Sequence, residues 1–216
     1  MNFLELVKKA WRDCGQTGDG PAAVTGVAGH QLRFVNWVRE AWKDIQRESS
    51  EWSFLKIRAT CTLTAGQENH TSGDLLITDL LKPLAVLIFV SDQWLPLNLI
   101  ISSQSSDEWL RANKSSGQPC VVYFDNGVFS FDTLPDKNYQ LRIYYKRTPQ
   151  ELVANTDVPI CDAAYHDTIT YLAKKKYALF DEDQALLTEA NEAYERTISD
   201  MRADLTPQVT FGRSAF

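Results

Sequence analysis

The sequence predicts an α+β fold: a four-helix unit, with two N-terminal and two C-terminal helices, an inserted antiparallel β-sandwich or barrel-like domain, and an extended C-terminal tail. Three observations carry this expectation. Near both ends, apolar residues recur at three- and four-residue spacing, the period of a helix with one buried face. In the middle they alternate with polar residues, the period of a strand. Asn126-Gly127 lies between two β-branched and aromatic runs, where both positions of a tight hairpin turn need positive φ. The boundaries expected are 1–52 and 159–205 for the helical domain, 53–150 for the β insertion and 206–216 for the C-terminal arm.

Each element has its own signal. Asn2 is placed to cap the first helix, with Glu5 three residues on as in a capping box. Leu4, Val7, Trp11 and Cys14 form its stripe, and Gly15 is its stop. Residues 15–29 contain five glycines and read as a long loop, either partner-bound or a flexible surface segment. A second helix is expected over 30–49. Its stripe of Leu32, Val35, Val38, Trp42 and Ile45 is widened by Phe34, Trp37 and Ala41, so it is expected to be buried on two sides, either within one fold or partly against a neighbouring subunit.

The period then changes. Leu55, Ile57, Ala59, Cys61 and Leu63 alternate with Lys56, Arg58, Thr60 and Thr62. Apolar runs at 84–91 and 94–101 read as a hairpin joined at Asp92-Gln93, with Pro96 placing the second run at an edge or delaying its start. A short helix is expected at 106–113. Val121–Phe124 and Val128–Phe131 flank the Asn-Gly turn, and Tyr139, Leu141, Ile143 and Tyr145 mark one face of a further strand. About six strands are expected in all.

Pro149 and Pro159 mark the exit from the sheet. Asp162 is a plausible N-cap for a third helix carrying Tyr165, Ile169, Leu172, Ala173, Tyr177 and Phe180. Asp181-Glu182-Asp183 interrupts the pattern, and Asp183 can cap a fourth helix whose stripe is Leu187, Ala190, Tyr194, Ile198 and Met201. The tight link makes these two an antiparallel hairpin.

Composition narrows the function. The chain has 216 residues, 44% hydrophobic and 23% charged, which is ordinary globular usage. Its net charge of −6 gives no support to stable nucleic-acid binding, which needs lysine and arginine to displace counterions. An acidic wall is compatible with a duplex sliding past. No targeting segment or membrane span is expected, since charges begin at Glu5 and the longest apolar run is 84–90. A soluble protein in a reducing setting follows. Cys14, Cys61, Cys120 and Cys161 have no metal-site spacing and read as small hydrophobes.

Chemistry is sparse. His30, His70 and His166 are isolated, and no metal or cofactor is expected. His166-Asp167 with a distant cysteine imitates part of a triad but lacks a nucleophile motif, and His166 is expected to face solvent or a carboxylate. Asp79 with Asp92, or Asp125 with Asp132, sit beside turns and read as turn formers. Lys174, Lys175 and Lys176 fan across one side of the third helix. They form either a solvated face or a subunit interface opposite Glu182, Asp183, Glu189 and Glu192 of a neighbour.

Two stretches carry a resemblance. One is LELVKKAWRDCG followed by FVNWVREAWKDIQRESSEWSFLK, with Trp37-Val38, Ala41-Trp42, Asp44-Ile45-Gln46 and Trp52. The other is Tyr144-Tyr145-Lys146-Arg147, then Asp157-Val158-Pro159, Tyr177-Ala178 and Asp181-Glu182-Asp183. Together they resemble tailed-bacteriophage head–tail adaptor (connector) proteins. The resemblance implies a structural virion protein at the head–tail junction, assembled in the host cytoplasm, and not an enzyme. It implies a homo-oligomeric ring, usually of twelve copies, with the portal protein above and tail or nozzle proteins below. DNA would pass through the channel without sequence-specific binding, and no membrane is involved. The helical domain would form the ring wall and the β insertion would face tail components. The C-terminal arm, through Val209, Phe211, Arg213 and Phe216, would engage the portal or an adjacent ring, its apolar anchors ordering on binding. The competing readings are a carbohydrate-binding module using Trp94 or Trp109, and an enzyme built around His166.

Overall fold

The computed structural model describes residues 1–101 and 114–206. The helix expected at 106–113, with Trp109, and the arm residues Val209, Phe211, Arg213 and Phe216 lie outside the described residues. The chain divides into two compact units. One comprises Met1–Phe54 and the described residues from Pro149 onward; the other is Leu55–Thr148. Among the described residues there are four α-helices, all in the first unit, and ten strands, all in the second. No described helix is long and apolar enough to cross a membrane.

In the helical unit, α1 (Phe3–Asp13) begins with a complete capping box. Glu5 N donates to Asn2 Oδ1 at 2.9 Å, and Asn2 N donates to Glu5 Oε2 at 2.8 Å. Two further first-turn amides are met from far along the chain. Phe3 N donates to Asp157 O at 2.7 Å and Leu4 N to Asn155 O at 3.2 Å. The donating turn is itself held by Asp157, whose Oδ2 accepts from Val153 N at 2.6 Å and Ala154 N at 2.8 Å. Those amides hold its carboxyl below the usual carboxylate range. The polar connection after the sheet is therefore part of the helical unit.

The glycine-rich loop is packed on its own unit. Trp11 Nε1 donates to Thr17 O at 3.1 Å, Gln16 Nε2 to Tyr177 Oη at 2.8 Å, and Val24 N to Asn155 Oδ1 at 2.8 Å. Gly20 has φ +76°, and a Cβ there would lie 3.2 Å from Trp11 Cγ. Gly20→Ala thus combines an unfavourable φ with a clash against a buried ring. It is expected to cost about 1–3 kcal/mol in a urea titration; no measurable cost would show that the loop is not held this way.

Helix α2 (Gly29–Glu48) buries Phe34, Val35, Val38, Ala41, Trp42 and Ile45 of its expected face, but Leu32 is exposed in the first turn and Trp37 is only partly covered. Asp162 caps a single 3₁₀ turn at Ala163–Tyr165, and α3 (His166–Phe180) continues from it. Asp183 caps α4 (Gln184–Leu205), accepting from Leu186 N at 2.9 Å. The link between them is three residues, with Glu182 at φ +58°.

In the β unit the strands are β1 (Lys56–Leu63), β2 (Asn69–Thr71), β3 (Leu80–Val90), β4 (Gln93–Pro96), β5 (Asn98–Ile101), β6 (Ser116–Gly117), β7 (Val121–Asp125), β8 (Val128–Phe131), β9 (Leu134–Pro135) and β10 (Tyr139–Arg147). One sheet runs β1-β10-β3-β4 and is antiparallel throughout. The second runs β2-β8-β7-β5, with β5 parallel to β7, and β6 pairs in parallel with β9. The second sheet is mixed rather than antiparallel, and neither four-stranded sheet closes into a barrel. Val86, Ile88, Leu141 and Ile143 from the first sheet share one core with Val122, Phe124, Phe129 and Phe131 from the second. Each such side chain contributes about 1.5–3 kcal/mol on burial.

The hairpin turn after β3 is Ser91-Asp92, at φ +49° and +61°, one residue earlier than expected. Its second run also ends early. Pro96 closes β4 at the sheet edge, Leu97 is buried, and the chain continues as β5 in the other sheet.

His70, on β2, is buried with its Nε2 unpartnered and its ring edge-on to Phe131 at 5.9 Å. Burial pushes its imidazole below the ordinary value of 6.5. The unfolded chain takes up this proton as pH falls through about 6.5, while the folded chain resists until lower pH. Stability is therefore full above that value and declines below it. His70→Leu is expected to reduce the slope of stability against pH below about 6.5; an unchanged slope would contradict this assignment.

Candidate interaction surface

The hairpin of α3 and α4 gathers the charged residues singled out in the sequence. Lys174 is pulled inward: its side chain is 9% exposed and reaches Glu189, 69% exposed, at 2.9 Å. Lys175 donates to Asn191 Oδ1 at 2.7 Å and lies over the Tyr194 ring. Lys176 turns the other way, 2.8 Å from Asp44 and 3.7 Å from Glu40 of α2. The fan is real but is not a simple solvated face, because two of the lysines meet α4 and the third meets α2. The structure brings Lys174 and Glu189 together within one chain. Glu182 and Asp183 sit in the exposed turn, and Asp183 is engaged as the α4 cap.

A feature missed from the sequence completes this surface. Phe180, expected on the apolar face of α3, is instead 51% exposed at the end of that helix, and its neighbour Leu179 is 58% exposed. Arg33 lies 4.4 Å over one face of Phe180, and Trp37 packs against it at 5.6 Å. Beside them Lys175, Leu179, Gln184, Leu187, Thr188 and Glu192 line an open depression of about 400 Å³. The signal was available: neighbouring positions on a helix are about 100° apart, so Leu179, Phe180 and the buried Tyr177 and Ala178 cannot all share one inward face. Two adjacent exposed apolar side chains rimmed by charge make this a candidate contact surface.

The other sequence candidates are placed differently. Trp94 is half-buried, with the Arg142 guanidinium 4.0 Å over its ring and Phe89 at 5.1 Å. A sugar would find that ring face occupied. His166 is buried rather than solvent-facing. Its Nδ1 lies 2.7 Å from the Met1 nitrogen, while Asp167 is bonded to Lys9 at 2.5 Å. Burial pushes His166 below its ordinary value. Asp79 accepts from Tyr145 Oη at 2.7 Å and Arg147 Nε at 2.8 Å, tying β10 to the start of β3. Burial pushes the thiols of Cys14 and Cys161 up to about 12 and that of Cys61 up to about 11, away from the reactive thiolate. Among the described residues no cluster of histidine, cysteine and carboxylate could hold a metal ion.

A family model described as SU10 adaptor protein matches residues 1–213. No curated protein matches the chain.

Proposed function

The chain belongs to the SU10 adaptor protein family of phage head–tail adaptors, and from that premise we propose that it is a structural, non-enzymatic virion protein that forms a ring below the portal. The ring has twelve copies by the family resemblance, extends the DNA channel and offers a docking platform to tail proteins. Residues 1–52 and 159–205 form the ring wall, 53–150 project as the insertion toward tail components, and 206–216 serve as an arm onto the portal or an adjacent ring. Val209, Phe211, Arg213 and Phe216 are its contact residues.

The observation that most supports self-association is the exposed Leu179–Phe180 pair beside the acidic turn. Two large adjacent side chains, each at least half exposed beside a depression, form an apolar patch that an interface would remove from water. With Lys174 committed to Glu189 and Lys176 to Asp44, the groups offered to a neighbour include Leu179, the outer part of Phe180, Glu182 and Glu192.

Co-sedimentation with purified portal rings tests the proposal. The chain is expected to pellet with the rings at a fixed stoichiometry and to stay in the supernatant without them. Failure to pellet at any ratio would overturn the portal-docked reading.

A further inference from the structure

The outward face of the first sheet is cationic. Strands β1, β3, β4 and β10 carry six basic residues and not one aspartate or glutamate. Strand register places Lys56, Lys146 and Lys82 in one cross-strand row. The next row pairs Arg58 with Tyr144 and Tyr144 with Ala85. Like charges directly opposite one another in a sheet repel. Arg147 is neutralised by Asp79 and Arg142 is stacked on Trp94. Arg58, Lys82 and Lys146 have no carboxylate partner among the described residues. Between them lie Leu84, 46% exposed, Ala85, and Tyr144, 36% exposed. The face is thus an apolar centre with a cationic rim.

Its complement is on the same chain. Residues 55–148 contain nine basic and nine acidic residues, so the whole excess of negative charge lies on the helical unit. There Leu179 and Phe180 form an apolar tip, flanked by Asp181, Glu182 and Asp183 of the turn and by Glu192 on α4, carboxylates that outnumber the two cations beside them, Arg33 over the Phe180 ring and Lys175 at the depression. A nucleic-acid duplex would answer the cations but offers little to bury Leu84 and Ala85.

We infer that the cationic face of the first sheet receives the α3–α4 hairpin tip of a second copy of the chain. Leu179 and Phe180 cover Leu84 and Tyr144, while Glu182 and Glu192 meet Arg58, Lys82 and Lys146. Two different surfaces of one chain then meet head to tail, the kind of contact that closes into a ring. Charge complementarity fixes its register and disfavours face-to-face pairing of two cationic sheets. This rests on the ring reading above.

A charge swap tests it. Sedimentation velocity would follow ring assembly on portal for the wild type, Arg58→Glu/Lys82→Glu, Glu182→Lys/Glu192→Lys, and the four changes combined. All four positions are exposed, and circular dichroism would confirm the folded state of each variant. Each double variant is expected to raise the concentration for half-assembly by about tenfold or more. The combined variant is expected to return to within about threefold of wild type, because opposite charges again face each other. Wild-type rings with unaffected double variants would overturn the inference and leave the ring reading standing. So would a combined variant as defective as its parents, or intact rings that lose a tail protein or DNA instead. A wild type that forms no ring on portal would overturn both.

Discussion

Trp52→Ala is expected to destabilise the helical unit by about 3–5 kcal/mol, the range for deleting a fully buried aromatic side chain. Trp52 has no exposed surface and stacks on Phe54 at 5.7 Å, which in turn stacks on Trp42 at 5.7 Å. Its Nε1 donates to Ile45 O at 2.8 Å. That carbonyl lies in the last turn of α2, where no intrahelical amide is left to reach it. Alanine removes the ring stack and this donor together, and an unsatisfied buried carbonyl adds about 1–3 kcal/mol. A urea titration read by circular dichroism would measure the sum. Trp52→Phe, which keeps the stack and loses the donor, should recover more than half of it. A loss under about 1 kcal/mol for alanine would show that the α2 terminus does not depend on this contact.

The second large effect concerns assembly. Leu179→Asp combined with Phe180→Asp is expected to weaken ring formation on portal by about 100-fold or more, because two large anchors are removed and two charges are set into an interface that must lose water. The isolated chain should lose only about 1–2 kcal/mol, since Leu179 lies mostly in solvent and Phe180 gives up only its half-buried contacts with Arg33 and Trp37. Analytical ultracentrifugation of the chain alone and with portal separates the two quantities. Normal rings from the double aspartate variant would remove the hairpin tip from the interface.

Much of this fold was legible because its signals are local. The Asn2–Glu5 box, the Asn126-Gly127 turn and the Asp183 cap each act within three or four residues, so sequence spacing reports them directly. The broad stripe of α2 was legible for the same reason. Strands β2, β6 and β9 were not, since two or three residues are too few to show alternation. The parallel pairing of β5 with β7 depends on a chain crossing at Leu97, which periodicity cannot carry. His166 looked like a solvent-facing helix residue, yet it is buried because the start of α1 packs against α3.

The candidate surface divides along the same line. The lysine fan and the acidic turn are sequence-local and were visible. The inward commitment of Lys174 to Glu189 needs the antiparallel return of α4 and was not. The cationic sheet face was hidden by bookkeeping: a net charge of −6 averages a balanced β unit with an acidic helical one. Register, which places Lys146 and Lys82 opposite each other, is what turns scattered lysines into a surface.

Negative-stain electron microscopy of the wild-type chain mixed with its portal tests the central claim most directly. A second ring stacked below the portal, with a continuous axial channel, is the predicted result. Portal rings that look the same with and without saturating chain would contradict it.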